Sequence, residues 1–170
     1  MIHHPIFLIG YMGSGKTTFG SILADHLQCP FLDLDTMVEA HTGQEISEIF
    51  KTQGEPAFRQ MEVEVLQRVP LNPPFVMATG GGTPCHGNNM AWMLTHGKVI
   101  YLRTSITTII ARLWKAKAGR PLVEPFTSRR SLQSYISEHL KEREKWYLQA
   151  HHVIDPEAVN PSILASQLMQ

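Results

Sequence analysis

A glycine-rich stretch near the start of the chain has the spacing of a phosphate-binding loop. Residues 10–17 read Gly-Tyr-Met-Gly-Ser-Gly-Lys-Thr and fit the pattern G-x-x-x-x-G-K-[ST]. Glycines let consecutive backbone N–H groups turn toward a polyphosphate, and the N-terminus of a following helix adds partial positive charge. Lys16 can then reach the outer phosphates, and the Thr17 hydroxyl can hold Mg²⁺. The motif predicts nucleotide binding, and kinases, switches and motors all share it.

Two carboxylates follow the next apolar run, at Asp33 and Asp35. Residues two apart at the end of a strand project in the same direction, so we expect both side chains to face the phosphate loop. One carboxylate of such a pair can hold a hydrated Mg²⁺ while the other binds a substrate hydroxyl. A helix N-cap is the alternative interpretation of Asp35.

The third apolar run ends in three consecutive glycines, Gly80–Gly82. Because side chains are missing there, backbone N–H groups can approach a ligand closely; a flexible turn is the alternative. The sequence lacks the apolar strand ending in a magnesium-binding aspartate that switches and motors normally carry, and it lacks the guanine-reading N-K-x-D motif of GTPases. These absences argue against a regulatory GTPase or a motor ATPase.

A basic run lies between Arg103 and Arg130, where the sequence has seven Lys or Arg residues and a single acid, Glu124. Such a run is typical either of a solvated helix face or of a segment that binds an anion. The Gly-Arg-Pro break at residues 119–121 favours the anion-binding interpretation.

The elements that must position these groups alternate between short apolar runs and amphipathic stretches, which predicts an α/β fold. We expect strands at residues 5–10, 31–35, 75–78, 99–102 and 152–154. We expect helices after the phosphate loop, as two or three short helices between 37 and 58, and at about 105–117, 128–148 and 161–168. Because parallel strands need crossover connections, the alternation predicts a mostly parallel sheet with helices on both faces and ligands at the carboxyl ends of its strands.

Size and composition limit the number of domains and the kinds of partner. The chain has 170 residues, 43% of them hydrophobic, which suits a single domain spanning residues 1–170. Fifteen Lys and Arg balance fifteen Asp and Glu, so we expect neither nucleic acid nor a membrane as a partner. Without a long apolar segment or a C-x-x-C pair, the sequence predicts a cytoplasmic protein, and we expect a monomer.

Taken together, the motifs resemble those of shikimate kinases. The matching segments occur in the family's order along almost the whole chain: residues 10–20, 33–35, 54–59, 80–82, 120–122, 142–143 and Tyr147. The resemblance implies a three-layer α/β/α P-loop kinase fold, similar to nucleoside monophosphate kinases, with a five-stranded parallel sheet. It also implies a substrate-binding segment at about 33–62 and a mobile lid at about 115–126. In this family, ATP phosphorylates the 3-hydroxyl of shikimate on the way to aromatic amino acids.

The resemblance also implies roles for individual residues. The implied catalytic residues are Lys16, Asp35 and Arg120. The implied ATP-binding residues are Gly13, Ser14, Gly15, Lys16, Thr17, Thr18, Arg112, Arg120, Asn160 and Pro161. The implied shikimate-binding residues are Asp35, Arg59, Gly80, Gly81, Gly82 and Arg143, and the implied Mg²⁺ ligands are Thr17 and Asp33. A planar guanidinium suits a carboxylate, which agrees with two arginines gripping that group of shikimate.

Two positions carry alternatives, and a third departs from the family pattern. The distance from Arg112 to Arg120 is one residue longer than the family pattern, so Leu113 or Lys115 could take the adenine-stacking position instead. Val159 stands where a basic residue often precedes the adenine-contacting loop. Glu62 either supports Arg59 from the next helical turn or forms an ordinary surface pair with it.

Two other functions compete with the shikimate kinase interpretation. A gluconate kinase would share the phosphate loop and lid, but it lacks a carboxylate clamp such as Arg59 and Arg143 together with a triple glycine. A noncatalytic, nucleotide-responsive interaction module is the second, and the intact Lys16, Asp35 and Arg120 argue against it.

Overall fold

Five parallel strands form one sheet in the computed structural model, which describes residues 2–116, 123 and 125–169. The strands are β1 (Ile6–Ile9), β2 (Phe31–Asp33), β3 (Val76–Ala78), β4 (Lys98–Leu102) and β5 (His152–Ile154). Their spatial order is β2-β3-β1-β4-β5, so β1 lies at the centre, paired with β3 on one side and β4 on the other. The predicted five-stranded parallel sheet is confirmed.

Side chains of the central strand alternate between two separate parts of the core. Phe7 and Ile9 of β1 belong to one apolar cluster, whereas Ile6 and Leu8 belong to a second cluster on the opposite face. All four residues are buried, as expected for a parallel strand that helices cover on both sides. The sheet is therefore the middle layer of three, and the predicted α/β/α architecture is confirmed.

Eight helices surround the sheet within the described part of the chain. They are α1 (Lys16–Leu27), α2 (Leu34–Thr42), α3 (Ile46–Thr52), α4 (Gly54–Arg68), α5 (Asn89–His96), α6 (Ile106–Lys115), α7 (Arg129–Tyr147) and α8 (Pro161–Leu168). Helices α1 and α8 pack together on one face, and residues of α2 to α7 line the cluster on the other. A short 3-10 turn, Thr83–Cys85, follows the triple glycine.

Local hydrogen bonds fix where several of these helices begin. Side chains of Asp33, Ser105, Ser128 and Asn160 accept bonds from backbone N–H groups two or three residues further on. Each bond satisfies a donor that has no partner within its own helix. Pro161 then occupies the first position of α8, where its missing N–H costs nothing.

The structure corrects the sequence-based interpretation of Asp35. Strand β2 ends at Asp33, and Asp35 lies in the first turn of α2, so the strand predicted to residue 35 is too long. Asp33 is the N-cap, because its Oδ1 accepts from the backbone N–H of Asp35 at 3.1 Å. The N-cap interpretation of Asp35 is therefore wrong, and the two carboxylates are placed by a cap rather than by strand alternation.

Three short helices, α2 to α4, occupy the region where two or three were expected. The expected break at residues 53–56 is narrower than predicted, because Gln53 alone separates α3 from α4. Pro56 fits inside the first turn of α4, where the helix needs no N–H from it. Helix α5 and the 3-10 turn were not predicted. Of the predicted lid at 115–126, residues 117–122 and 124 lie outside the described residues.

Gly97, between α5 and β4, allows a close approach of two chain segments at the start of the sheet. A Cβ added there would overlap the carbonyl oxygen of Pro5 and lie 2.8 Å from the Phe7 ring. We expect Gly97→Ala to lower the free energy of unfolding by about 1–3 kcal/mol, because backbone and a buried ring must shift. Urea titration measures this change. The control is Ser21→Ala, at an exposed position of α1, with an expected effect within about 0.5 kcal/mol. Equal effects of the two substitutions would contradict the overlap.

Candidate active site

A cavity of 780 Å³ opens at the carboxyl edge of the sheet, along the phosphate loop. Its walls include Gly13, Ser14, Gly15, Lys16, Thr17, Thr18, Asp33, Asp35, Gly80, Gly81, Arg112 and Pro161. Loops following three neighbouring strands thus contribute to one space, as the parallel sheet requires.

The phosphate loop depends on glycine backbone conformations. Gly10, Gly13 and Gly15 have φ angles of 149°, 78° and 92°. Residues other than glycine rarely adopt such positive φ angles, because their Cβ atom clashes with the backbone. A Cβ at Gly10 would also lie 2.8 Å from the carbonyl oxygen of Leu102 on β4. Gly15 then serves as the N-cap of α1, so the helix N-terminus points into the loop.

Lys16 lies folded against the carbonyl groups of its own loop. Its Nζ donates to the carbonyl oxygens of Gly10 at 2.8 Å and Tyr11 at 3.0 Å, and lies 3.5 Å from the Ser14 hydroxyl. The side chain is buried, and these oxygens replace the water that an ammonium group otherwise binds. The cationic group is therefore held at the centre of the loop.

Thr17 and Asp33 have the chemistry and the spacing of magnesium ligands. The Thr17 hydroxyl donates to Asp33 Oδ2 at 3.0 Å. Octahedral coordination with bonds of about 2.0–2.1 Å places adjacent ligand oxygens about 2.9 Å apart, so this pair fits one edge of the octahedron. Within the described residues there is no group of three or more His, Cys, Asp or Glu side chains that could hold a metal. The pair suits an ion that keeps several waters and binds phosphate oxygens.

Asp35 is a half-buried carboxylate between the phosphate loop and α4. Burial, with the negative charges of Glu62 and Asp33, raises the pKa of Asp35 from its usual 3.8 to about 6, although Lys16 and Arg59 oppose that rise. The carboxylate lies against Gly80, where an added Cβ would come within 3.0 Å of Asp35 Oδ1. A carboxylate with a pKa near neutrality can accept a hydrogen bond, or a proton, from a hydroxyl group.

Arg59 is held by two glutamates of its own helix. Its Nη1 donates to Glu62 Oε2 at 2.6 Å, while Nη2 and Nε donate to Glu55 Oε1 at 2.8 and 3.1 Å. Glu62 is wholly buried, whereas Glu55 is half exposed. The second oxygen of Glu62 accepts from the Thr83 hydroxyl at 2.5 Å, so both oxygens of this buried carboxylate have a donor. Glu62 therefore supports Arg59 and is not an ordinary surface residue.

The triple glycine makes room for the protein's own groups. A Cβ at Gly82 would overlap the Arg59 guanidinium, and one at Gly81 would lie 3.1 Å from the backbone nitrogen of Met12 in the phosphate loop. The Tyr147 hydroxyl donates to the carbonyl oxygen of Gly81 at 2.5 Å, which joins this loop to the end of α7. The flexible-turn interpretation is thus wrong, since the loop is closely packed on both sides.

Arg143 projects from α7 and is largely buried. Its guanidinium lies 5.9 Å from the centre of the Tyr11 ring. Burial raises the pKa of Cys85 to about 11, and the positive charges of Arg143 and Arg59 both oppose that rise. The charges of Arg59 and Arg143, the two arginines predicted as a carboxylate clamp, therefore both act on the thiol of Cys85.

Comparisons with known proteins agree with this geometry. The family model described as shikimate kinase matches residues 12–170. A shikimate kinase from Azobacteroides pseudotrichonymphae is 40% identical over 146 residues, which covers 85% of each chain. The chain belongs to the shikimate kinase family.

Solved structures of shikimate kinases have the same fold. The enzyme from Bacteroides thetaiotaomicron gives a TM-score of 0.84 at 34% identity, covering 98% of this chain and 94% of that chain. A shikimate kinase from Acinetobacter baumannii, solved in complex with shikimate, also gives a TM-score of 0.84 at 34% identity. The match covers 98% of this chain and 91% of that chain.

Near the phosphate loop, Arg112 has a partner, Glu157, that the sequence analysis missed. Arg112 Nη1 donates to the carbonyl oxygen of Gly13 at 3.1 Å, and Nη2 donates to Glu157 Oε1 at 3.2 Å. Of the three candidates for the adenine-stacking position, Leu113 is buried against Gly13 and Lys115 does not line the cavity, whereas Arg112 does. The spacing to Arg120 gives no indication of Glu157, 45 residues away.

Of the other residues that the sequence analysis assigned to the site, some line the cavity and others do not. Pro161 lines the cavity, whereas the Asn160 side chain caps α8 by accepting from the backbone N–H of Ser162 at 2.9 Å. Arg59, Gly82 and Arg143 are not part of the cavity wall. Arg120 lies outside the described residues.

Thr83 is a second residue that sequence reasoning missed, and its hydroxyl is testable. We expect Thr83→Val, which keeps the shape, to lower the free energy of unfolding by about 1–3 kcal/mol, because one oxygen of buried Glu62 loses its donor. Thr83→Ser should restore most of that loss. Chemical denaturation at pH 7 measures all three proteins, and a valine variant as stable as the original would contradict the bond.

Proposed function

We propose that the chain transfers the γ-phosphoryl group of ATP to the 3-hydroxyl of shikimate, giving shikimate 3-phosphate and ADP. The observation that carries this proposal is the position of Asp35, whose carboxylate interacts with Lys16 of the phosphate loop and with Arg59 of α4. Asp35, which can accept the hydrogen of a substrate hydroxyl, thus interacts both with Lys16, a group suited to phosphate, and with Arg59, a group suited to a carboxylate. Family membership supports the same reaction.

We propose that the phosphate loop and Lys16 hold the nucleotide. Backbone N–H groups of residues 13–18 at the start of α1 bind the phosphates, and the ammonium group of Lys16 exchanges its loop carbonyl oxygens for phosphate oxygens. Arg112, fixed by Gly13 and Glu157, covers the adenine, and Pro161 closes the cavity beneath it. Positioning and electrostatic stabilisation account for most catalysis of this type.

Thr17 and Asp33 are the proposed magnesium ligands. When bound, Mg²⁺ neutralises charge on the transferring phosphate oxygens. The cap formed by Asp33 on α2 keeps its other oxygen on the N–H of Asp35, so the two carboxylates hold a fixed relation to each other.

The acceptor end depends on Arg59, Arg143 and Asp35. Glu62 holds one edge of the Arg59 guanidinium from inside the protein, and Glu55 holds the other edge from the exposed side. The carboxylate of shikimate replaces Glu55 and bonds Arg143 as well. Asp35 then accepts the hydrogen of the attacking hydroxyl, and Gly80–Gly82 line the ring. For Arg120 we propose neutralisation of charge on the transferred group as the lid closes.

We further propose a cytoplasmic monomer with neither nucleic acid nor a membrane as a partner. Balanced charge and two unpaired cysteines, Cys29 and Cys85, support this proposal. Among the described helices, none has the length and apolar character needed to cross a membrane.

The reaction is tested by coupled measurement of ADP release from purified protein with Mg²⁺ and ATP. We expect release to depend on shikimate, since Arg59 and Arg143 require a carboxylate. Shikimate methyl ester is the matched control: it keeps the ring hydroxyls but lacks the negative charge, so it should be a poor substrate. Turnover with gluconate and none with shikimate would contradict the proposal.

Asp35→Asn should lower activity and raise stability together. We expect kcat to fall by about two orders of magnitude, because the amide accepts a hydrogen less well than a carboxylate. The pKa of Asp35 is higher in the folded chain, so folding favours its protonated form, and wild-type stability falls as pH rises from about 4 to 6. The variant lacks this loss, so at pH 7.5 it should be about 1–3 kcal/mol more stable, with the difference vanishing near pH 4.

Activity and urea denaturation, measured on the same preparations, check both effects. Asp25→Asn, at an exposed position of α1, is the matched control for loss of an acidic charge. A variant that loses activity but shows the same pH dependence of stability as wild type would disprove the burial argument for Asp35.

A further inference from the structure

Helix α7 touches the phosphate loop through a polar contact that the mechanism above does not use. Tyr11 Oη and His139 Nδ1 are 2.8 Å apart, although the two residues are 128 positions apart in the sequence. Their rings meet edge to face, with centres 5.6 Å apart and planes at 86°. Tyr11 is 1% exposed, so its side chain is shielded from bulk solvent.

The direction of this hydrogen bond follows from the chemistry of its two groups. Burial raises the pKa of Tyr11 well above its usual range, so the phenol keeps its hydrogen and donates it. Burial and the positive charge of Arg143 lower the pKa of His139, so the imidazole is neutral near pH 7. Nδ1 is therefore the acceptor, and the ring hydrogen is on Nε2.

Tyr11 connects this bond to the nucleotide-binding groups. Its carbonyl oxygen accepts from Lys16 Nζ at 3.0 Å and from the backbone N–H of Ser14 at 3.1 Å. A shift of the Tyr11 side chain therefore moves an oxygen that fixes both the loop and its lysine. The same ring faces the guanidinium of Arg143, which is one turn beyond His139 on α7.

The imidazole is itself fixed by neighbouring rings. Tyr135 lies with its ring centre 5.2 Å from that of His139, and Phe126 lies 5.0 Å from Tyr135. Such contacts restrict the ring orientations available to His139. The acceptor nitrogen thus has a defined position relative to the phosphate loop.

We propose that His139 is a positioning residue for the nucleotide: by accepting the Tyr11 hydroxyl, it holds the phosphate loop and Lys16 in the geometry that binds phosphate. This inference rests on the proposed kinase function for its ligand, but its test measures binding alone. It makes ADP affinity depend on the protonation of a residue that does not line the cavity.

The pH dependence has a definite sign. Groups that act on His139 are Tyr11 from the phosphate loop, Glu55 and Arg59 from α4, and Tyr135, Glu142 and Arg143 from its own helix. A protonated imidazole carries hydrogen on both nitrogens, so it leaves the buried Tyr11 hydroxyl hydrogen without an acceptor. Its added positive charge also faces Arg143. ADP affinity therefore decreases as pH falls through the pKa of His139, which burial and Arg143 hold below its usual value.

The experiment is calorimetric titration of ADP, with Mg²⁺ and without shikimate, at pH 8.0 and pH 5.5. At pH 8.0 we expect Tyr11→Phe and His139→Leu each to weaken binding about three- to tenfold, the range for one lost hydrogen bond. The double variant should bind as weakly as either single variant, because both remove the same bond. His139→Asn should bind within about twofold of wild type, since its amide oxygen takes the place of Nδ1 as acceptor.

His139→Asn also separates His139 from other groups that titrate in this range, such as ADP itself and Asp35. We expect wild type to lose several-fold more affinity between pH 8.0 and 5.5 than His139→Asn, whose side chain does not titrate. His4→Asn, at an exposed position before β1, is the matched control and should lose as much as wild type. Thermal melts at both pH values identify any variant that is not folded.

Three results would overturn the proposal: unchanged affinity in folded His139→Leu, additive losses in the double variant, or equal pH dependence in wild type and His139→Asn. If His139 only stabilised the fold, its substitution would lower the melting temperature. It would not change the ADP affinity of the variant relative to that of wild type. Binding that follows the expected pattern in a protein without shikimate-dependent turnover would refute the proposed reaction and leave this inference standing.

Discussion

Parallel pairing of β3 with both β1 and β2 is the constraint on which the whole site depends. It brings the loops after β1, β2 and β3 to one edge of the sheet, where a Cβ at Gly81 would lie only 3.1 Å from the backbone nitrogen of Met12. Strands of only three to five residues suffice for this, because they are buried in the core. All four residues of β1 are apolar and buried, on both faces of the sheet. The sheet therefore brings together the phosphate loop, the carboxylates and the triple glycine, and contacts such as that of Thr17 with Asp33 then join them.

Charges at the site are arranged as a chain of opposite signs. Lys16, Asp35, Arg59 and Glu62 follow one another across the site, and each interacts with a neighbour of opposite charge. Removing Arg59 leaves buried Glu62 without its cationic partner, which costs more than the missing contact itself. At Asp35, burial and the negative charges of Glu62 and Asp33 outweigh the attraction of Lys16 and Arg59, so the pKa of its carboxyl is raised.

The sequence predicts the sheet and most of the site because both depend on local patterns. Apolar runs mark buried strands, and glycine spacing marks the phosphate loop. The end of β2 was missed because one hydrogen bond, from the N–H of Asp35 to Asp33, starts α2 early, and hydropathy does not reveal it. Thr83 and His139 were missed for a different reason. Their partners Glu62 and Tyr11 are 21 and 128 residues away, so only the folded chain brings the pairs together.

The exposed glutamate on Arg59 has a consequence for selectivity. Glu55 acts as an internal competitor, since it already occupies the edge of the guanidinium that faces outward. An incoming anion gains only the difference between its own bond and the one it displaces, so weakly binding inorganic anions gain almost nothing. In the binding mode proposed above, the shikimate ring also reaches Arg143 and Asp35 and gains two further contacts that Glu55 does not provide. In that binding mode, the number of simultaneous contacts decides which anion displaces Glu55, and an anion that meets Arg59 alone does not.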